Sequence, residues 1–118
     1  MVELRPTAGG TPLEFIVDTG YSEELLASCD TLRLFGWRLV PRGPGQPAVL
    51  ADGSVVPTYV YRSSITWFGR QRDVWVEDFG PRAPSLVGFT LLAGTRIALG
   101  ADSVEIEQAE ESAERGPR

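Results

Sequence analysis

Residues 48–78 read AVLADGSVVPTYVYRSSITWFGRQRDVWVED, a succession of β-branched and aromatic residues cut by short turn signals. Such residues suit a pleated, half-buried surface, and runs this short between turns make strands rather than helices. ADGS lies between apolar runs, and Asp-Gly is a strong hairpin signal, most economically a type I′ turn at Asp52-Gly53. FGRQ marks a second hairpin between SSITW and RDVWVE. In the latter, Val74 and Val76 alternate with Asp73, Trp75 and Glu77, the period of a strand with one face in a core.

The flanking segments fit the same class. VELRPTAGGTPLEFIVDTG predicts a strand, a Gly/Pro turn and a second strand. SEELLASCD predicts a short helix or an irregular turn with Leu25 and Leu26 inward, and DTLRLFGW fits either helix or strand. RLVPRGPGQPAVL, dense in Pro and Gly, reads as a loop entering a strand near Ala48. GPRAPSLVGFTLLAG supplies a loop, a brief apolar strand ending at Gly88 and a short helix at FTLLAG. TRIALGADSVEIE is a last hairpin turning at LGAD, and residues 108–118 form an acidic, disordered tail. Many short strands with regular turns favour an all-β barrel or sandwich, a single domain over 1–107. A chain of 118 residues suffices for one core.

Composition narrows the chemistry. The chain has no histidine, so neither a Ser-His-Asp nor a Cys-His nucleophile can be assembled within it, and histidine-ligated metal sites are excluded. Cys29 is the lone cysteine, which rules out an internal disulfide and fits a reducing compartment. It reads as a small buried hydrophobe rather than a reactive thiol. No metal or other cofactor is expected, and carboxylates are left as the proton handlers. A net charge of −5 argues against nucleic acid as a partner. No apolar run is long enough to span a bilayer, and Met1 is not followed by a leader pattern, so no membrane partner is expected and the location is cytoplasmic. Trp37, Trp67 and Trp75 are read as core or interface fillers, and Arg70 and Arg72 as a solvated turn.

The stretch LEFIVDTGYSEELLAS, residues 13–28, carries an apolar run into Asp18 and then turns at once. An acid there either closes a turn or works chemically. FIVDTG, the hairpin VLADGSVV and SLVGFTLL follow one another in the order seen in retropepsin-like aspartic proteases, and the chain resembles that family over about residues 13–93, closest to its small single-domain bacterial members. The resemblance implies that the all-β fold is a small closed barrel with one short C-terminal helix, that Asp18 is catalytic, that Thr19 and Gly20 support its loop, and that Asp52 and Gly53 tip a flap over a peptide or protein substrate.

A second D-T-G is absent, so the resemblance also implies a homodimer in which two Asp18 carboxylates face each other across a two-fold axis. Two carboxylates about 3 Å apart share one proton, so one acts as base toward water and the other as acid toward the peptide carbonyl. An acidic to mildly acidic optimum follows.

Three positions depart from the family. Tyr21 stands where a small residue is usual. Ser22 and Phe89 stand where viral members carry an acid and an arginine that pair, and hydrophobic packing, as of Phe89 on Tyr21, would replace that pair. A flap with only Gly53 at its tip is stiffer than a glycine-rich one. The alternatives are a catalytically weak or inactive dimeric peptide-binding module of the same fold, and a plain monomeric barrel without a cleft.

Overall fold

The computed structural model describes residues 1–7, 9–99 and 104–108. In chain order the strands are β1 (Val2–Pro6), β2 (Leu13–Val17), β3 (Leu25–Leu26), β4 (Val40–Pro44), β5 (Ala48–Val49), β6 (Val55–Val56), β7 (Tyr59–Trp67), β8 (Arg70–Asp78), β9 (Leu86–Val87), β10 (Thr95–Leu99) and β11 (Val104–Gln108). Helix α1 (Cys29–Leu34) follows β3, and α2 (Phe89–Leu92) follows β9. The sheet runs β1-β2-β9-β3-β8-β7 and returns to β1, closing a six-stranded barrel. Closure depends on β1 serving two partners: Val2, Glu3 and Leu4 pair with Phe15, Glu14 and Leu13, while Arg5 and Pro6 pair with Thr66 and Ile65. β2 runs parallel to β9, and β3 parallel to β8.

The core follows from side-chain alternation. Val74 and Val76 are fully buried while Trp75 between them is exposed, and Phe15 is buried between exposed Glu14 and Ile16. Leu4, Leu25, Leu32, Ile65, Val87 and Leu91 complete the interior with Trp37, whose ring tilts against Phe15 at 5.9 Å and whose indole N–H donates to the Thr11 carbonyl at 2.8 Å. The β7–β8 hairpin turns at Phe68 and Gly69, both at positive φ (51° and 77°), as a two-residue type I′ turn requires.

Several local expectations need correction. Leu25–Leu26 is a two-residue strand, made one by pairing with β8 on one side and β9 on the other. The ambiguous DTLRLFGW resolves as α1, opened by the Ser28 hydroxyl accepting from the Thr31 N–H. The described residues thus hold two short helices rather than one, and α2 is followed by a hairpin. Val40–Pro44, read as loop, is a strand: it hangs on β7 outside the barrel, with a bulge between Pro41 and Gly43, where missing proline donors cost nothing. Gln108 closes β11 opposite Thr95, so the strand takes the first residue assigned to the tail. Residues 109–118 and the turn residues 100–103 lie outside the described residues. Ile97 and Ile106 pack the β10–β11 hairpin against the core.

Candidate active site

Asp18 stands one residue past the end of β2. Its N–H donates to the Val87 carbonyl at 2.9 Å, prolonging the parallel ladder by one rung, and its own carbonyl accepts from the Tyr21 N–H at 3.1 Å to close a tight turn. Alternation turns Phe15 and Val17 toward the barrel and Ile16 and Asp18 away from it. The carboxylate is half-buried, and among the described residues its hydrogen-bond partner is the Gly20 N–H, 2.9 Å from Oδ1. Thr19 and Gly20 are exposed, and Thr19 makes no side-chain hydrogen bond among the described residues. D-T-G therefore forms one unit: the acid, its amide donor and a free hydroxyl.

That unit is clamped from behind by the segment following β9. Gly88 N–H donates to the Glu24 carbonyl at 2.8 Å, Phe89 N–H to the Tyr21 carbonyl at 2.6 Å, and Thr90 N–H to the Glu23 carbonyl at 3.3 Å. The Thr90 hydroxyl adds a bond to the Ser22 carbonyl. Gly88 lies so close to the loop that a Cβ there would stand 2.7 Å from the Tyr21 carbonyl oxygen and 2.6 Å from its ring, and would overlap the Glu23 carbonyl. The glycine of LVG is thus dictated by backbone proximity.

Tyr21 packs behind the loop. Its hydroxyl donates to the Glu77 carboxylate and lies 3.1 Å from the Leu25 carbonyl. Burial, reinforced by the Glu77 hydrogen bond and charge, holds the phenol well above its ordinary ionisation range. The expected packing of Phe89 on Tyr21 is not found: Phe89 is 57% exposed, and it meets Tyr21 through a backbone hydrogen bond. Polar contacts support the loop instead. Glu24 is buried, accepting from the Trp75 N–H at 2.8 Å and from Arg72 at 3.1 Å. Arg72 is therefore an ion-pair partner rather than part of a solvated turn. Neither Glu24 nor Glu77 stood out in the sequence, although Glu24 directly precedes the buried Leu25–Leu26 pair.

Asp52 and Gly53 occupy the tip of the β5–β6 hairpin, which forms a two-stranded sheet of its own. The turn is not type I′. Gly53 has φ 86°, but Asp52 is not in the left-handed region, and the Gly53 N–H donates to the Leu50 carbonyl at 2.9 Å across a longer loop. Asp52 Oδ1 instead accepts from the Ser54 N–H (2.9 Å) and hydroxyl (2.6 Å), which lower the ionisation range of this fully exposed carboxyl.

Two apolar cavities adjoin the hairpin. One of about 330 Å³ is lined by Leu50, Val56, Tyr59, Phe79 and Arg82 among others. The second, about 360 Å³, includes Leu26, Val49, Asp52, Phe79 and Arg82. Asp18 lines neither of them, so the chain does not bring its two predicted site groups into one cavity. They are linked through the sheet: Leu26 pairs with Leu86, and Leu86 with Ile16, two residues before Asp18.

Cys29 is buried at the start of α1, and burial, then the neighbouring Asp78 charge, pushes its thiol from an ordinary 9.0 up to about 12. It belongs to the core. Among the described residues no cluster of three or more His, Cys, Asp or Glu side chains can hold a metal ion, and no helix is long and apolar enough to cross a membrane. Comparison with protein-family models, curated proteins and solved structures finds no match to this chain.

Proposed function

We propose that the protein is an aspartic endopeptidase of the retropepsin type, active as a homodimer, in which water between two Asp18 carboxylates attacks the carbonyl of an extended peptide. The observation that carries this reading is the state of Asp18: a half-buried carboxylate on a loop clamped by its own chain, with Gly20 as amide donor and no acidic partner among the described residues. One carboxylate cannot serve as base and acid in the same step, so the chemistry asks for a second copy. With two, the proton removed from water by one Asp18 is matched by a proton given to the carbonyl oxygen by the other. No covalent intermediate forms. Rigid placement matters because a misplacement of about 1 Å costs roughly a hundredfold in rate. The hairpin, joined to no barrel strand, is suited to close over a bound peptide.

The test is Asp18→Asn. Asn keeps an oxygen for the Gly20 N–H, so the urea midpoint and the dimer should persist while peptide cleavage disappears. Turnover surviving in that variant would place the chemistry elsewhere. The second reading, a dimeric peptide-binding module without catalysis, is favoured by one observation: the apolar cavities lie beside the hairpin rather than at Asp18. It predicts peptide binding with no pepstatin-sensitive cleavage in the wild-type chain.

A further inference from the structure

We propose that Arg82 selects peptides that place an acidic side chain beside a large apolar one, binding them under the β5–β6 hairpin. This rests on the cleft reading of that groove, whether or not the cleft is catalytic. The groove has two compartments of about 330 and 360 Å³, each of a size to take a large side chain, and Leu50, Phe79 and Arg82 line both. Arg82 is thus the cation common to two apolar compartments.

Among the described residues the ion pairs are Arg5–Glu3 and Arg72–Glu24, and no carboxylate oxygen of a described residue lies within 4.0 Å of Arg82. One acid lines each cavity, Asp78 the first and Asp52 the second, and neither forms an ion pair with Arg82. Asp78 uses Oδ1 for the Gly80 N–H at 2.8 Å and Oδ2 for the Cys29 N–H at 3.2 Å. Asp52 spends Oδ1 on Ser54. A guanidinium left in this position offers a fork of donors suited to a carboxylate. Leu50, Val56, Tyr59 and Phe79 supply the apolar contact alongside. In an extended peptide consecutive residues are about 3.3 Å apart, so the acid's place relative to the apolar residue is found by moving it along the peptide. A single cation in a chain of net charge −5 makes no track for a phosphate backbone, and the occupant is a peptide.

The experiment measures binding apart from cleavage. Fluorescein-labelled hexapeptides with a reduced amide replacing the central Phe-Leu bond carry Glu, Gln or Lys at each remaining position in turn. Their anisotropy is followed with the full chain, wild type, Arg82→Gln and Arg82→Glu. At one position Glu should bind about tenfold to a hundredfold more tightly than Lys, a preference reduced by about 0.5 M NaCl. Arg82→Gln should bring Glu and Gln peptides within about threefold, with the Glu peptide losing most, and Arg82→Glu should reverse the preference toward Lys. Discrimination that survives Arg82→Glu overturns the proposal. So does an equal loss for all peptides, or no binding by any of them. Parallel assays on the ordinary amide peptides report separately on catalysis: selective binding without cleavage refutes the peptidase and keeps the Arg82 site.

Discussion

Replacing Gly88 by Ala tests whether the Asp18 loop is held by steric fit against the segment following β9. The added methyl would stand 2.6 Å from the Tyr21 ring and 2.7 Å from the Tyr21 carbonyl oxygen, and would overlap the Glu23 carbonyl. The ring can swing aside; the two carbonyls cannot move without carrying the loop. Relief therefore separates residues 21–24 from residues 88–90 and stretches the three backbone bonds made by Gly88, Phe89 and Thr90. At about 1 kcal/mol net per hydrogen bond and roughly 1–3 kcal/mol for overpacking, partial relaxation leaves a loss of about 3–5 kcal/mol. Equilibrium urea denaturation, followed by the fluorescence of the buried Trp37, measures it. On the peptidase reading, cleavage should fall further than the folded fraction does, because the same shift displaces the Asp18 carboxylate. A loss below about 1 kcal/mol with cleavage intact would show that the loop tolerates separation, and would refute the clamp.

Other consequences are separable. Glu24→Ala strands the Trp75 N–H and frees Arg72, and should cost about 2–3 kcal/mol in the same urea assay; Glu24→Gln keeps an acceptor for Trp75 and should cost less. Alkaline pH should destabilise the fold in two stages. The folded chain holds its protons on Cys29 and Tyr21 above their ordinary values of 9.0 and 10.0, so the unfolded chain binds fewer protons beyond those points, and stability declines past pH 9 and more steeply past pH 10. Urea midpoints from pH 8 to 11 measure this, and Tyr21→Phe should flatten the second stage.

The sequence exposed those parts of the fold that depend on short-range pattern. Val74 and Val76 announced their burial by alternation, FGRQ its hairpin by turn chemistry, and D-T-G its place at a strand end. What it hid depends on partners distant in the chain. Leu25–Leu26 has no periodicity of its own and is a strand because Val76–Glu77 and Leu86–Val87 flank it. Val40–Pro44 carries two prolines that argue against a strand, and only its position outside the barrel, paired on one side, makes them harmless. At the site, Asp18 and Gly20 were legible because their contact spans two residues. Glu24 with Arg72, and Tyr21 with Glu77, join positions 48 and 56 residues apart. No local pattern distinguishes such acids from solvated ones.

The Asp18 loop takes its anchors from its own chain: Val87 holds Asp18, and the backbone of residues 88–90 holds residues 21–24. Its shape is therefore set when one chain folds, before any second copy arrives. Positions 22 and 89 hold Ser and Phe rather than an ion pair, and the loop is supported by Glu24–Arg72 and Tyr21–Glu77, which act from β8 on the barrel side. That arrangement leaves the outer side without such a network: Ile16 is 41% exposed, Phe89 is 57% exposed, and Thr19 has no side-chain partner among the described residues. On the proposed reading, folding and assembly become separate equilibria, and the second copy completes the acid–base pair rather than shaping the loop. Dilution should then yield a folded, inactive single chain. Activity per chain should rise with protein concentration and level off where sedimentation shows the dimer complete, while the urea midpoint of the diluted chain stays well defined. Activity per chain independent of concentration, in a chain that sediments as a monomer, would mean that Asp18 works without its counterpart, and the shared-proton mechanism would fail.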